Sequence, residues 1–272
     1  MSNEAEVGSV AVRDPNAYYA GGLGVETYDL LHDTITGDIA FYLKCASRFG
    51  DPILELGTGT GRVLMPLVEA GYEVTGLDLS PAMLQLASAK IRERVGTGGR
   101  IRLVEGDMTA FDLGGRFALV LVPARAFQHV ITPEGQRAAL TCIHKHLVPG
   151  GHLVLDLFDP KFENLFGAQN QETFNREVCD QSSGHLVRRT VVARHVDAFN
   201  QVLTEQLRFE RFNAAGGLIA SGETSWSLRW TLRQEIAYLL ELCGFAVVEQ
   251  FSDFNGSLPV YGREQLWIAS AR

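Results

Sequence analysis

Three glycines at alternate positions, Gly57, Gly59 and Gly61, follow the short apolar run 53–56. Glycine accepts backbone angles that other residues resist, and it lets a ligand lie directly against the main chain. The apolar run predicts a buried strand, and the helix-like pattern that follows offers free backbone N–H groups at its start. This arrangement predicts a cradle for a nucleotide-sized ligand, although a tight turn alone could also use a glycine at Gly57.

An acidic residue, Asp78, ends the next apolar run and follows Gly57 by 78 − 57 = 21 positions. A carboxylate at this place can accept both hydroxyl protons of a ribose, in a dinucleotide or in a simpler nucleoside ligand. A charge at the start of the following helix is the alternative interpretation. The usual dinucleotide pattern GxGxxG would have its third glycine at position 62, which is Arg62 here. Asp78 therefore indicates a ribose without identifying the ligand.

Further polar residues follow the third and fourth apolar runs. Asp107, in Gly106-Asp107-Met108, could accept from an adenine amino group or simply cap a turn. His129 titrates near neutral pH and is a candidate base, with a structural histidine as the alternative. Arg125 could hold an acceptor carboxylate or phosphate by a two-pronged contact, or pair with a nearby acid.

The elements that must position these residues alternate between strand and helix. Strands that are apolar throughout and separated by helices predict a parallel sheet covered on both faces. We therefore predict a doubly wound α/β fold with a mainly parallel seven-stranded sheet. Thr231-Leu232-Arg233-Gln234 predicts a capping box at the start of a late helix.

The pattern changes after position 160. Strand-like alternation over 185–196, 201–213 and 218–229 predicts an inserted antiparallel β layer with one exposed face. We predict three parts: an N-terminal leader or lid at 1–35, the α/β domain at 36–168 and 231–272, and the insertion at 169–230.

Composition excludes several classes of partner. The formal net charge is −8 and the sequence pI is about 5.4, which disfavours nucleic acid and anionic membrane surfaces. The acidic start predicts no signal peptide, and no apolar run approaches the roughly 20 residues of a membrane span. The four cysteines form no CxxC pair, which predicts reduced thiols in a cytoplasmic protein. The two histidines of His144-Lys145-His146 face different sides of a helix, so no metal site is predicted.

Four motifs in order, ILELGTGTGR, VTGLDLSPAML, LVEGDMTAFDL and LVPGGHLVLDLFDP, resemble those of class I S-adenosylmethionine-dependent methyltransferases. The resemblance covers residues 40–160 closely and 231–272 more loosely. It implies S-adenosylmethionine as cofactor and S-adenosylhomocysteine as product. It also implies a set of cofactor-binding residues: Tyr28, Glu55, Gly57, Thr58, Gly59, Gly61, Arg62, Asp78, Leu79, Met83, Gly106, Asp107, Met108 and Pro123.

The acceptor implied by the resemblance is a small molecule. Family members that methylate an exocyclic base amine carry Asn/Asp-Pro-Pro-aromatic after the fourth strand, where this chain has 122–125 as Val-Pro-Ala-Arg. The inserted strands are similar to those of glycine-type and amino-sugar N-methyltransferases, which favours nitrogen over oxygen or carbon and predicts a homodimer. The candidate acceptor residues, besides His129 and Arg125, are Tyr18, Tyr19, Phe127, Trp226 and Arg229. For Trp226, packing in the core is the alternative to a role in acceptor binding.

Two other functions stay open on the sequence. A nicotinamide-dependent oxidoreductase would use the same Asp78, but Arg62 and the Asp107 motif oppose it. A regulatory protein that binds S-adenosylmethionine without catalysis would keep the same motifs.

Overall fold

The computed structural model describes residues 17–32, 35–94, 100–166 and 171–272, with the side chains of 17 and 18 outside this description. Short 3₁₀ turns lie at Ala17–Ala20 and Ala126–His129. The helices are α1 (Leu23–Glu26), α2 (Tyr28–His32), α3 (Asp38–Phe49), α4 (Leu64–Glu69), α5 (Pro81–Arg94), α6 (Pro133–His146), α7 (Phe162–Leu165) and α8 (Arg233–Leu242). No helix of this described part is long and apolar enough to cross a bilayer.

The larger sheet has seven strands, in the spatial order β10-β11-β5-β4-β1-β2-β3. Strands β1 to β5 pair in parallel, and β11 runs antiparallel to both of its neighbours. The predicted doubly wound, mainly parallel sheet is confirmed. The strands are β1 (Ile53–Leu56), β2 (Val74–Asp78), β3 (Ile101–Glu105), β4 (Phe117–Val122), β5 (Leu147–Phe158), β10 (Phe245–Phe251) and β11 (Glu264–Ala271).

Side-chain alternation builds a core on each face of this sheet. Leu54 and Leu56 of β1 pack on the α6 and α8 side, whereas Ile53 packs with α3 and α4 on the other side. All three side chains are fully buried. Burying an aliphatic side chain contributes about 1.5–3 kcal/mol, so these central strands form the rigid base for the loops at their carboxyl ends.

A four-stranded antiparallel sheet forms the second β layer, in the order β6-β7-β8-β9. Its strands are β6 (Thr173–Cys179), β7 (Leu186–Asp197), β8 (Val202–Phe212) and β9 (Leu218–Arg229). The three predicted strands and the antiparallel pairing are confirmed. Strand β6 was not predicted, because its alternation is interrupted by a register shift and its side chains are mostly exposed.

The inner face of the second sheet covers two separate parts of the chain. Leu207 and Phe209 of β8 pack on Leu31 of the N-terminal helices. At the other end, Leu203 and Leu228 pack on the segment around α7. The N-terminal helices therefore lie between the two sheets, at the carboxyl ends of the parallel strands.

The start of α8 differs from the prediction by one residue. The N-cap is Leu232, whose backbone N–H donates to Glu235 Oε2 at 3.2 Å. Thr231 is fully buried and instead bonds Gln136 at 3.4 Å. Because this tertiary contact takes the threonine hydroxyl, the helix is capped one residue later than the local sequence pattern predicts.

Candidate active site

A cavity of about 500 Å³ lies at the carboxyl ends of β1, β2, β3 and β4, beneath the N-terminal segment. A more open depression between the 109–116 loop and α6 contains neither the glycine turn nor Asp78, so the cavity at the strand ends is the candidate site. The predicted residues that line it are Tyr19, Tyr28, Gly57, Gly59, Asp78, Leu79, Met83, Gly106, Asp107, Met108, Pro123 and His129.

The glycine turn follows β1 in a conformation that requires glycine. Gly57, Gly59 and Gly61 have φ of 68°, 55° and 81°, in the left-handed region. A Cβ on Gly57 would lie 2.5 Å from Ala126 Cβ, so the turn sits directly against the loop after β4. A Cβ on Gly59 would meet no described heavy atom within 4 Å, because that position faces the cavity.

Asp78 joins the glycine turn to the next helix. Its Oδ2 accepts the Gly59 N–H at 2.7 Å, and its Oδ1 accepts the Ser80 N–H at 2.8 Å. Burial raises the pKa of the carboxyl, and these two backbone hydrogen bonds oppose that rise. These two bonds hold the side chain at the cavity edge. Each carboxylate oxygen has a further lone pair that can accept a hydrogen bond from a hydroxyl group.

Four predicted cofactor residues, Glu55, Thr58, Gly61 and Arg62, support the turn instead of lining the cavity. Thr58 Oγ1 donates to Glu55 Oε1 at 3.1 Å, and Arg62 pairs with Asp38 at 2.6 Å. Burial raises the pKa of Glu55 to about 8, and its Oε2 is buried without a hydrogen-bond partner. A pKa near 8 leaves this carboxyl mostly protonated at neutral pH, so it is buried beneath the glycine turn as a neutral group.

The N-terminal segment forms part of the cavity wall, with Tyr19, Ala20 and Tyr28. Ser80 Oγ donates to the Tyr19 backbone carbonyl at 2.5 Å. Asp29 accepts from Thr60 Oγ1 at 2.6 Å and pairs with Lys90 at 2.5 Å. These bonds tie the segment to the glycine turn and to α5.

Tyr19 and His129 form a hydrogen-bonded pair on the cavity wall. Tyr19 Oη lies 2.8 Å from His129 Nε2, and His129 Nδ1 lies 2.8 Å from the Ser227 backbone oxygen of β9. A carbonyl can only accept, so Nδ1 carries the proton. Burial lowers the pKa of His129 to about 4, so the ring is neutral and Nε2 accepts from the tyrosine hydroxyl.

Asp107 caps a turn, the alternative interpretation of its sequence position, and it also lies at the cavity. It lines the cavity, and its Oδ1 accepts the Thr109 N–H at 2.8 Å as a turn cap. Eight further lining residues were not predicted from the sequence: Ala20, Leu77, Ser80, Pro81, Thr109, Ala124, Ala126 and Val130. Each is adjacent or close in sequence to a residue that was identified, which is the signal that could have found them.

The structure corrects the assignment of Arg125 to the acceptor. Its guanidinium pairs with Glu264 of β11 and lies over the Phe158 ring, 5.2 Å from the centroid. The side chain therefore points away from the cavity, as the ion-pair alternative predicted. Its backbone still matters, because Ala124 and Arg125 have φ of 55° and 63°. A left-handed residue other than glycine costs roughly 1–2 kcal/mol.

The assignments of Arg229 and Phe127 to the acceptor are also corrected. Arg229 is buried and bonds Gln136 Oε1 at 2.9 Å and Glu235 Oε1 at 2.5 Å, which joins β9 to α6 and α8. Phe127 is fully buried in the core of the larger sheet.

Trp226 does not line the cavity but contacts His129, which does. Its ring lies edge-on to His129 with the centroids 5.8 Å apart, and it packs in both core clusters of the second sheet. The Tyr18 side chain lies outside the described residues. Within the described ranges, no group of three or more His, Cys, Asp or Glu residues is placed to hold a metal ion.

The neutral His129 predicts a stability change in acid. Between pH 6.5 and about 4 the unfolded chain binds a proton at this residue that the folded chain does not, so folding weakens as pH falls. At 1.36 kcal/mol per pKa unit, the loss is about 3 kcal/mol. We expect the unfolding free energy of the wild type, measured relative to His129→Gln, to fall by this amount over that range. His32, whose pKa is also lowered to about 4, is present in both proteins and cancels. A constant difference would show that the pKa of His129 is the same in the folded and unfolded protein.

Comparison with known proteins identifies the family. Residues 53–151 match the family model described as a methyltransferase domain. An uncharacterized methyltransferase of Oceanobacillus iheyensis is 30% identical over 153 residues, which are 52% of this chain and 67% of that protein. A dTDP-3-amino-3,6-dideoxy-alpha-D-glucopyranose N,N-dimethyltransferase of Streptomyces fradiae is 30% identical over 155 residues, 54% of this chain and 58% of that protein. The match spans 51% to 64% of the first three curated relatives.

A solved structure extends the likeness to most of the chain. The S-adenosylmethionine-bound amino pentose methyltransferase of Micromonospora echinaspora, involved in calicheamicin biosynthesis, superposes with a TM-score of 0.64. It is 28% identical and covers 86% of this chain and 89% of its own. The matched residues 53–151 include the glycine turn and Asp78, and the chain belongs to the class I S-adenosylmethionine-dependent methyltransferases.

Proposed function

We propose that this chain transfers a methyl group from S-adenosylmethionine to the amino group of a small molecule of the amino-sugar class. The observation that carries the proposal is the Tyr19–His129 pair, which brings a hydrogen-bonding hydroxyl to the wall of the cavity that also holds Asp78. The two amino-sugar relatives described above support the acceptor class.

The residues of the cavity fit the cofactor. Asp78 would hold the ribose hydroxyls, Asp107 and Met108 the adenine, and the open space at Gly59 the part of the ligand nearest the main chain. When bound, S-adenosylmethionine supplies an activated methyl group, so the protein's main tasks are alignment and exclusion of water. Orientation alone can remove roughly 7–11 kcal/mol from a barrier.

Tyr19 is suited to orient an amine. Its hydroxyl proton is committed to His129, so the phenolic oxygen can accept an N–H from the acceptor and direct the nitrogen lone pair. With a pKa near 4, His129 is a weak base at neutral pH. We therefore assign His129 to holding Tyr19 in position, a narrower role than the base proposed on the sequence.

The charges around the cavity favour an amino sugar over glycine. A glycine acceptor would need a cation for its carboxylate, and two predicted candidates are already paired. Arg125 pairs with Glu264, and Arg229 pairs with Glu235. The wall near His129 is instead apolar, with Pro123, Ala124, Ala126 and Val130, which suits a sugar ring and excludes water.

The proposal is tested with a panel of matched acceptors. Purified protein is incubated with S-adenosylmethionine and an amino sugar, the same sugar with a hydroxyl in place of the amine, or glycine. We expect S-adenosylhomocysteine and a methylated product only from the amine-bearing sugar. Faster methylation of the hydroxyl sugar or glycine would overturn the acceptor class. Cofactor binding without turnover on any acceptor would favour the regulatory protein, and tighter binding of NADH would favour the oxidoreductase.

Removing the tyrosine hydroxyl should impair turnover selectively. We expect Tyr19→Phe and His129→Gln each to lower kcat by about 10- to 100-fold, below the range for a full general base. The dissociation constant for S-adenosylhomocysteine should stay within about threefold, since the Ser80 bond uses only the Tyr19 backbone. Tyr238→Phe, at an exposed position on α8, is the control. Unchanged kcat in both variants would exclude the pair from the reaction.

A further inference from the structure

The loop after β4 has a conformation that its sequence does not favour. Ala124 and Arg125 are consecutive left-handed residues, with φ of 55° and 63°, and neither is glycine. The same loop supplies Ala124 and Ala126 to the cavity wall and leads directly into His129. A strained segment at this place needs a partner that stabilises it.

That partner is Asp156, a residue of β5. Its Oδ1 accepts the Ala124 N–H at 2.8 Å, and its Oδ2 accepts the Arg125 N–H at 3.1 Å. Tyr42 of α3 donates its hydroxyl to Oδ1. Two successive backbone amides converge on one carboxylate here, so the carboxylate stabilises the curled conformation of this loop.

The left-handed conformation of Ala124 and Arg125 sets the position of two parts of the site. Ala126 is pressed against the glycine turn, because a Cβ on Gly57 would come within 2.5 Å of its own Cβ. His129 follows within the same 3₁₀ turn and reaches both Tyr19 and the Ser227 carbonyl. A change in this loop conformation would therefore alter both the glycine turn and the Tyr19–His129 pair.

We propose that Asp156 is a positioning residue for methyl transfer, which holds Ala124 and Arg125 left-handed and so places His129 against Tyr19. The proposal rests on the proposed function only for its effect on turnover. The positioning of His129 can be measured without any acceptor.

The environment of Asp156 suits a fixed acceptor of hydrogen bonds. The carboxyl is buried, and the charged or titratable groups around it are Tyr42, Arg125 and Glu264. Burial raises the pKa to about 6, which leaves the group mostly ionised at neutral pH. An ionised carboxylate accepts at both oxygens, whereas an amide accepts at only one.

The test begins with Asp156→Asn, which keeps the shape and removes one acceptor. We expect kcat to fall by about 10²-fold, the loss that a displacement near 1 Å can cause. The matched control is Asp159→Asn, a buried acid nearby that accepts from Gly262 and Gln265 and does not bond the loop. It should lower the melting temperature at least as much without the same loss of kcat.

A second substitution that relieves the backbone strain distinguishes a positioning role from a general effect on stability. Glycine adopts the left-handed conformation without strain, so adding Ala124→Gly to Asp156→Asn should recover at least about tenfold of the lost kcat. Ala124→Gly added to Asp159→Asn should recover nothing. Equal losses of kcat in the two acid variants at equal melting temperature, or no rescue, would overturn the proposal.

An acceptor-free measurement completes the test. Nitrogen-15 NMR reports the tautomer and hydrogen bonding of each of the seven histidines, and His129→Gln assigns the signal of His129. We expect the His129 Nε2 resonance to move in Asp156→Asn and to return when Ala124→Gly is added. An unmoved resonance would overturn the positioning role. If the resonance moves as expected and no acceptor is methylated, the proposed function fails while the positioning stands.

Discussion

Replacing Asp78 with alanine should weaken S-adenosylmethionine binding by about 10²- to 10⁴-fold. Hydrogen bonds to a charged group contribute about 1.5–3 kcal/mol each, and two ribose hydroxyls would lose their acceptor. At 1.4 kcal/mol per factor of ten, the loss of two such bonds gives this range. Isothermal titration calorimetry with S-adenosylhomocysteine, which carries the same ribose, measures the change directly.

Two controls keep this result interpretable. Asp112→Ala removes an exposed carboxylate, 92% accessible, from the loop after β3 and should leave the dissociation constant unchanged. Asp78 also accepts from Gly59 and Ser80, so thermal unfolding must show that the variant folds. A folded Asp78→Ala protein with wild-type affinity would remove Asp78 from the cofactor site.

Replacing Gly57 with alanine should destabilise the protein itself, by about 2–5 kcal/mol. The left-handed conformation costs an alanine roughly 1–2 kcal/mol, and the new methyl group would lie 2.5 Å from Ala126 Cβ. Overpacking of this kind typically costs a further 1–3 kcal/mol or so. Urea unfolding without cofactor measures the sum.

Gly59→Ala is the matched control for this change. Gly59 has a similar φ of 55° but open space around the added methyl group. We expect it to lose only the roughly 1–2 kcal/mol of backbone strain and to lose cofactor affinity instead, because the methyl group enters the cavity. Adding Ala126→Gly to Gly57→Ala should restore part of the stability. Equal destabilisation by both single substitutions would contradict the close contact of the turn with the β4 loop.

The parts of the site that the sequence predicted are those set by local geometry. Gly57 and Gly59 act through their own backbone angles, and Asp78 follows its strand directly. The order of alternating strands and helices also predicted the larger sheet, because parallel pairing requires it. These features need no knowledge of distant partners.

The acceptor assignments that the structure corrects depend instead on partners far away in the sequence. Arg125 points away from the cavity because Glu264, 139 residues later, takes its guanidinium. Arg229 is buried because Gln136 of α6 bonds it across 93 residues. Direction and burial of a long side chain depend on such distant partners, which a single sequence does not reveal.

Asp156 was missed although its signal was present. It interrupts the apolar run of β5, in the sequence LVLDLFDP. A carboxylate inside a buried strand must find donors, because an unpaired buried charge is costly. The sequence therefore indicated that a partner existed, but only the fold shows that the donors are two strained amides of the active-site loop.

The N-terminal segment has a consequence for the catalytic cycle. Tyr19 and Tyr28 line the cavity, and the segment that carries them is tied down by Ser80 on one side and by Arg176 on the other, through the Leu31 carbonyl at 2.6 Å. We expect a bound cofactor beneath it to exchange faster when these ties break. The rate at which residues 19–32 lift would then set an upper limit on the rate of turnover.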